Sequence, residues 1–127
     1  MSLATLVAAL RPAASVHLAT HINPDADAIA SALALALALR RIGKRVRVFA
    51  SGPVPVSCRR LPGAAGVTVI RDEAAARRVP TCDVLMAVDC AEAKRLGPLA
   101  HLRRQRTAAI DHHHGEAGFA DAAQVEI

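Results

Sequence analysis

The stretch "SVHLATHINPDADAIASALALALALRRIG", residues 15–43, decides the fold. It opens with a short, partly β-branched apolar run from Ser15 to Thr20, which reads as a buried strand. His21, Asp25 and Asp27 then crowd into one turn. Beyond them Leu and Ala alternate with the period of a strand, yet both are strong helix formers and the run is too long for one strand. Arg40 and Arg41 followed by Gly43 are helix-stop signals. A strand, a polar turn and a buried helix, in that order, make the first half of a βαβ unit.

The same alternation extends in both directions. Upstream, "SLATLVAALR" carries Leu3, Leu6, Val7 and Leu10 at helical spacing, with Ser2 as N-cap and Pro12 closing it. Downstream, strands are expected over 44–50, 67–70, 83–89 and 106–111, and short helices over 72–78 and 92–104. A Pro- and Gly-rich loop runs from Ser51 to Gly66. The expected class is α/β: one three-layer, Rossmann-like domain over residues 1–127, with a mainly parallel sheet of about five strands and helices on both faces.

Composition narrows the function. The chain has 127 residues, 53% of them hydrophobic, which is globular and not disordered. Its formal charge of +5 comes almost wholly from arginine and favours an anionic partner. Cys58, Cys82 and Cys90 stand at unrelated spacings with no CxxC pair, so neither a zinc knuckle nor a disulfide framework is indicated. Reduced thiols and a cytoplasmic location are expected. The longest apolar run, around residues 28–39, is too short to span a bilayer, so no membrane partner is expected.

The polar residues gather at strand ends. His21 with Asp25 and Asp27, then Asp89, then Asp111 with His112, His113 and His114 each follow an apolar strand, His114 being left out of the candidate site because it faces away from its neighbour if strand geometry persists. In an open parallel sheet those ends share one edge, where ligands bind. Each acid also has an ordinary structural reading: Asp27 as the N-cap of the long helix, Asp25 as a turn residue after Pro24. Taken together, carboxylates and imidazoles at three strand ends repel unless a cation compensates them, at roughly 1 kcal/mol per like-charge pair at 4 Å even in water. Such donors without a thiolate suit Mn²⁺, Mg²⁺, Fe²⁺ or Zn²⁺. Two such ions about 4 Å apart would support phosphoester hydrolysis. Cys90 reads as core, His17 as a core or edge histidine, and His101 as solvated. Arg59 and Arg60 are held as weak phosphate contacts.

The ordered segments "HINPDADAIAS", "VDC" and "IDHH" resemble the three leading motifs of the DHH phosphoesterase family. That family includes exonucleases, family II inorganic pyrophosphatases, exopolyphosphatases, cyclic-dinucleotide phosphodiesterases and bifunctional oligoribonuclease/pAp phosphatases. The last group is most similar, and the likeness extends over roughly residues 5–121 through "SALALALALRRIGKRVRVFASGPVP" and "RRLPG". The resemblance implies that His21, Asp25 and Asp89 hold one Mn²⁺, and that Asp27, the shared Asp89 and His112 hold a second. It implies that His113 contacts the scissile phosphate, that Asp111 orients the histidines, and that a hydroxide bridging two metals attacks phosphorus.

Two features depart from the family pattern. Ala26 and Ala30 stand where the family has Gly. A further Asp in a fourth motif, and a C-terminal substrate-binding domain, are expected beyond the end of this chain, with Asp121 too close to Asp111 to be that acid. The expectation is therefore an incomplete front domain whose second metal site is weak. Its expected partners are short single-stranded RNA or a nucleotide phosphate, with a homodimer as a further possibility for the assembly. Pyrophosphate, polyphosphate and cyclic dinucleotides are the alternative substrates, and a non-catalytic metal- or anion-binding fragment is the alternative role.

Overall fold

The computed structural model describes residues 2–113 and 119–125, the last four as backbone alone. Helix α1 (Leu3–Leu10) starts where Ser2 leaves extended backbone and its hydroxyl accepts from the Thr5 N–H. Strand β1 (Ser15–Ala19) leads to helix α2 (Ala26–Arg41). The N-cap of α2 is Asp25 rather than Asp27: Asp25 Oδ1 accepts from the Ala28 N–H at 2.9 Å, and Asp27 lies in the first turn. The helix begins ahead of Asp27 because Ala26 already has helical backbone, and the acid beside Pro24 satisfies a free N–H of that turn. At the other end Gly43 turns left-handed (φ 90°), its N–H bonds to Arg40 O, and the Lys44 N–H bonds to Leu39 O. That pair of bonds closes the helix in a Schellman motif.

The remaining elements are β2 (Arg45–Ala50), β3 (Thr68–Val69), α3 (Glu73–Arg78), β4 (Cys82–Val88), β5 (Arg104–Asp111) and β6 (Ala122–Val125). The helix expected over 92–104 is instead a 3-10 segment, Ala93–His101, broken at Gly97 (φ 56°, ψ −132°) ahead of Pro98. No α-helix passes through such a left-handed residue followed by a proline without an N–H. His101, expected in solvent, is half-buried there with Nε2 3.1 Å from Glu73 Oε1 on α3.

Every strand pair is parallel, in the order β3-β2-β1-β4-β5-β6. The expected α/β class holds, with a sixth strand: Ala122–Val125 pairs with Ala108–Asp111 although its small residues carry little strand signal. One apolar layer packs α1 and α2 on the sheet through Leu6, Ile29, Leu33, Val48 and Met86. The other packs α3 and the 93–101 segment through Phe49, Ala76, Leu85, Leu96 and Leu99. Burial on both faces explains why the central strands read as continuous apolar runs. Among the described residues no helix is long and apolar enough to cross a membrane.

His17 is the polar exception inside β1. It is 6% exposed, its Nδ1 has no hydrogen-bond partner among the described residues, and its ring leans on Phe49 at 4.9 Å between centroids. Burial first, and the nearby Arg47 charge second, pull its pKa from 6.5 to about 4. The unfolded chain therefore takes up this proton before the folded one does. His17 costs nothing above pH 6.5 and removes up to about 3 kcal/mol of stability as pH falls from 6.5 to 4. Urea denaturation of wild type and His17→Leu across that window is expected to show a shallower loss in the variant. Parallel pH profiles would contradict this account.

Candidate metal centre

The strand order reverses between β1 and β4, and the segments leaving those two strands diverge to open a crevice at the C-terminal edge. β1 delivers His21, the start of α2 delivers Asp25 and Asp27, β4 delivers Asp89, and β5 delivers Asp111, His112 and His113. An open cleft of about 400 Å³ results, lined by Asp27, Ser31, Val88, Asp89, Ile110, Asp111 and His112.

Asp89 is the centre of the arrangement. Its residue is 4% exposed and sits just past β4 in left-handed backbone (φ 59°), its N–H held by Ile110 O at 2.9 Å. Its Oδ2 lies 3.6 Å from His21 Nε2, and its Oδ1 lies 2.9 Å from His112 Nε2 and 3.4 Å from His113 Nδ1. The 2.9 Å approach lacks hydrogen-bond geometry, so both buried oxygens are without a hydrogen-bond partner among the described residues. Burial, then the carboxylates of Asp27, Asp25 and Asp111, raise its pKa, with His113 opposing them. A doubly orphaned buried carboxylate among like charges calls for a cation.

The surrounding groups are oriented toward that need. His21 Nδ1 lies 2.7 Å from Ile22 O, and since a carbonyl only accepts, the proton sits on Nδ1. That leaves Nε2 with a free lone pair, grouped with oxygens of Asp25 and Asp89 within 4.8 Å of one another. Asp25 is held ionised, chiefly by the Ala28 N–H. On the other side His112 Nε2 is 3.0 Å from Asp27 Oδ2 as well as 2.9 Å from Asp89 Oδ1. About 3 Å is the spacing of neighbouring donors in an octahedron with bonds near 2.1 Å. Ser31, not singled out by sequence, donates from Oγ to Asp27 Oδ1 at 3.3 Å, one turn along α2.

Asp111 sits behind the histidines. Burial opposes its ionisation, but its Oδ1 accepts from His113 Nδ1 at 2.7 Å and from the N–H groups of His112 and His113, and these keep its pKa low. The same bond raises the pKa of His113. A second set, Asp89, Asp111, His112 and His113, thus also gathers donor atoms within 4.8 Å. Asp121 is elsewhere: its Oδ2 accepts from the Thr107 N–H at 2.7 Å, about 13 Å down β5 from Asp111. Cys90 is fully buried in the layer beneath, its Sγ 3.3 Å from Glu92 O. Arg59 and Arg60 are exposed and make no side-chain bond to the crevice among the described residues. His114 lies outside the described residues.

Residues 15–126 match the model of the DHH family, N-terminal domain. The chain belongs to the DHH family. The fold is also similar to the crystal structure of an exopolyphosphatase-related protein from Bacteroides fragilis, with a TM-score of 0.78 and 20% identity over 98% of this chain. The match covers 39% of that protein, so this DHH chain spans about two-fifths of its length.

Replacing the buried charge separates stability from ligand binding. Asp89→Asn keeps a residue tolerant of left-handed backbone and removes the repulsion. In metal-free buffer it is expected to melt about 4 °C higher, near 1 kcal/mol, while losing the stabilisation that divalent ions give the wild type. Scanning calorimetry with and without added ions reads both, and a variant that melts lower and still responds to ions would refute the assignment.

Proposed function

We propose that this chain carries the catalytic face of a Mn²⁺-dependent phosphoesterase acting on short oligoribonucleotides or pAp. The observation that carries the reading is Asp89, a buried carboxylate whose two oxygens have no hydrogen-bond partner among the described residues and face two different groups of donors. In this reading His21, Asp25 and Asp89 hold one ion, and Asp27, Asp89 and His112 hold a second. Three carboxylates and two imidazoles without a thiolate suit Mn²⁺. When bound, such ions lower the pKa of water and offset the charge of a phosphoryl group.

The chain's own residues supply the rest. Asp111 keeps a proton on His113 Nδ1 and fixes the ring, and the raised pKa favours a second proton on Nε2. The His113 side chain is 46% exposed, so that Nε2–H is within reach of a phosphoryl oxygen entering from solvent. Asp111 is thereby a positioning residue for both histidines. Recognition of a nucleotide through its phosphates is favoured over base stacking, since Phe49 is fully buried, Phe119 is half-buried against the second apolar layer, and the sequence has no Trp or Tyr.

A second reading, hydrolysis of polyphosphate or pyrophosphate, is favoured by the name of the Bacteroides fragilis protein. Incubation with Mn²⁺ and a panel of pAp, a ribodinucleotide, pyrophosphate, polyphosphate and a cyclic dinucleotide tests both. The expected result is Mn²⁺-dependent product from pAp and the dinucleotide, abolished in Asp89→Ala. Release from polyphosphate or pyrophosphate alone would transfer the assignment to the second reading. Mn²⁺-independent release that survives Asp89→Ala would overturn both.

A further inference from the structure

The Ala93–His101 segment follows shortly after Asp89 in the chain and is seated along its length. Leu96 and Leu99 are fully buried in the second apolar layer. Ahead of the segment Cys90 Sγ lies 3.3 Å from Glu92 O, and at its far end His101 meets Glu73 on α3. Between those anchors the chain bends at Gly97 (φ 56°, ψ −132°). These angles belong to the first central residue of a type II′ turn, a place for glycine.

The bend has a second reason to lack a side chain. A Cβ on residue 97 would fall 2.5 Å from Ile22 Cγ2, yet 4.0 Å from Ile22 Cβ. The first distance is a collision with a stiff, β-branched side chain, and the second is ordinary contact. Ile22 itself is 43% exposed, so the core does not hold it. It is held by this close approach and by its N–H, which donates to Arg95 O at 2.6 Å two residues before the bend.

Ile22 in turn orients His21. Its carbonyl oxygen accepts the His21 Nδ1 proton at 2.7 Å, which leaves Nε2 3.6 Å from Asp89 Oδ2 and 3.8 Å from Asp25 Oδ1. The tautomer of an imidazole is set by the bond its other nitrogen makes, and a partner behind a metal-binding ring fixes its orientation. Here that partner is a backbone carbonyl, in a loop that turns at once through left-handed Asn23 (φ 52°). The carbonyl is placed by the segment on which Ile22 rests, so the segment that begins after Asp89 also sets the aim of His21.

We propose that Gly97 is a positioning residue for His21: its missing side chain lets Ile22 dock on the 93–101 segment, and the docked Ile22 carbonyl aims His21 Nε2 at the metal site. The proposal rests on the metal reading above and deepens it. The test compares wild type, Gly97→Ala, Ile22→Ala and the double variant. Calorimetry reads Mn²⁺ affinity, and ring nitrogen chemical shifts read the His21 tautomer in metal-free protein. Wild type is expected to carry the His21 proton on Nδ1 alone. Gly97→Ala is expected to bind Mn²⁺ about 10- to 100-fold more weakly, the range for losing a group that orients a metal-binding imidazole, and to show mixed tautomers. In the Ile22→Ala background the same substitution meets no collision. The double variant therefore binds Mn²⁺ as Ile22→Ala does and regains the Nδ1 tautomer, although strain at residue 97 lowers the melting temperature in both backgrounds. Equal losses of affinity in the two backgrounds overturn the proposal, as does an unchanged tautomer in Gly97→Ala or a wild type with the proton on Nε2. If Gly97→Ala does not fold, a double variant that folds and binds Mn²⁺ as Ile22→Ala does upholds the proposal. A double variant that fails to fold shows that the glycine serves the turn alone and overturns it. A wild type that binds no Mn²⁺ sinks the metal reading instead. The metal-free tautomers then decide Gly97 by themselves: an Nδ1 proton lost in Gly97→Ala and regained in the double variant upholds the proposal, and any other pattern overturns it.

Discussion

A carboxylate buried at the end of a central strand is the constraint on which the site depends. β4 pairs with both β1 and β5, so Asp89 stands where the strand order reverses and neighbouring segments part. Backbone amides there are already committed: the Asp89 N–H is bonded to Ile110 O and turns back from its own carboxylate. Neither of its oxygens finds a hydrogen-bond donor among the described residues, and the nearest carboxylates raise its pKa. Among the described residues the imidazoles of His21, His112 and His113 approach this charge, yet none of them gives it a hydrogen bond.

The fold was legible where local chemistry and burial agree. Apolar strands bounded by acids, Ser2 as a cap and Gly43 as a stop are short-range signals, and they appear where expected. The third strand shrank to Thr68–Val69, and Ala122–Val125 was unread, because both lie toward the sheet margins where pairing is set by neighbours and not by side-chain pattern. The segment after β4 was misread as a helix because its Leu and Lys/Arg content fits one, while the conformation is governed by Gly97 and Pro98 packing on Ile22.

The site was legible through acids and histidines, because each follows a strand directly and the parallel topology does the gathering. Sequence could not tell which acid of "PDAD" caps the helix, since both Asp25 and Asp27 are competent and a shift of two residues decides it. Nor could it single out Ser31. Ser31 matters through its bond to Asp27 one helical turn back. That bond comes from the winding of α2, which a lone serine in an apolar run does not display.

The Leu/Ala alternation that imitates a strand has a structural purpose once wound into α2. Ala28, Ala32 and Ala36 recur every fourth residue and are wholly buried, so they form a stripe of small side chains against the sheet. Larger groups flank the stripe: Ile29 and Leu33 are buried beside it, while Leu37 turns to solvent. Ile29 and Leu33 fill the layer on the sheet, and the alanine methyls between them take little room, as small residues permit between packed elements. The N-terminus of α2 meets the strand ends, where Asp27 Oδ2 lies 3.0 Å from His112 Nε2 and Asp25 Oδ1 3.8 Å from His21 Nε2. The helix that buries Ala32, Ala36, Ile29 and Leu33 on the sheet is thus the element that carries Asp25 and Asp27 to the strand ends beside Asp89.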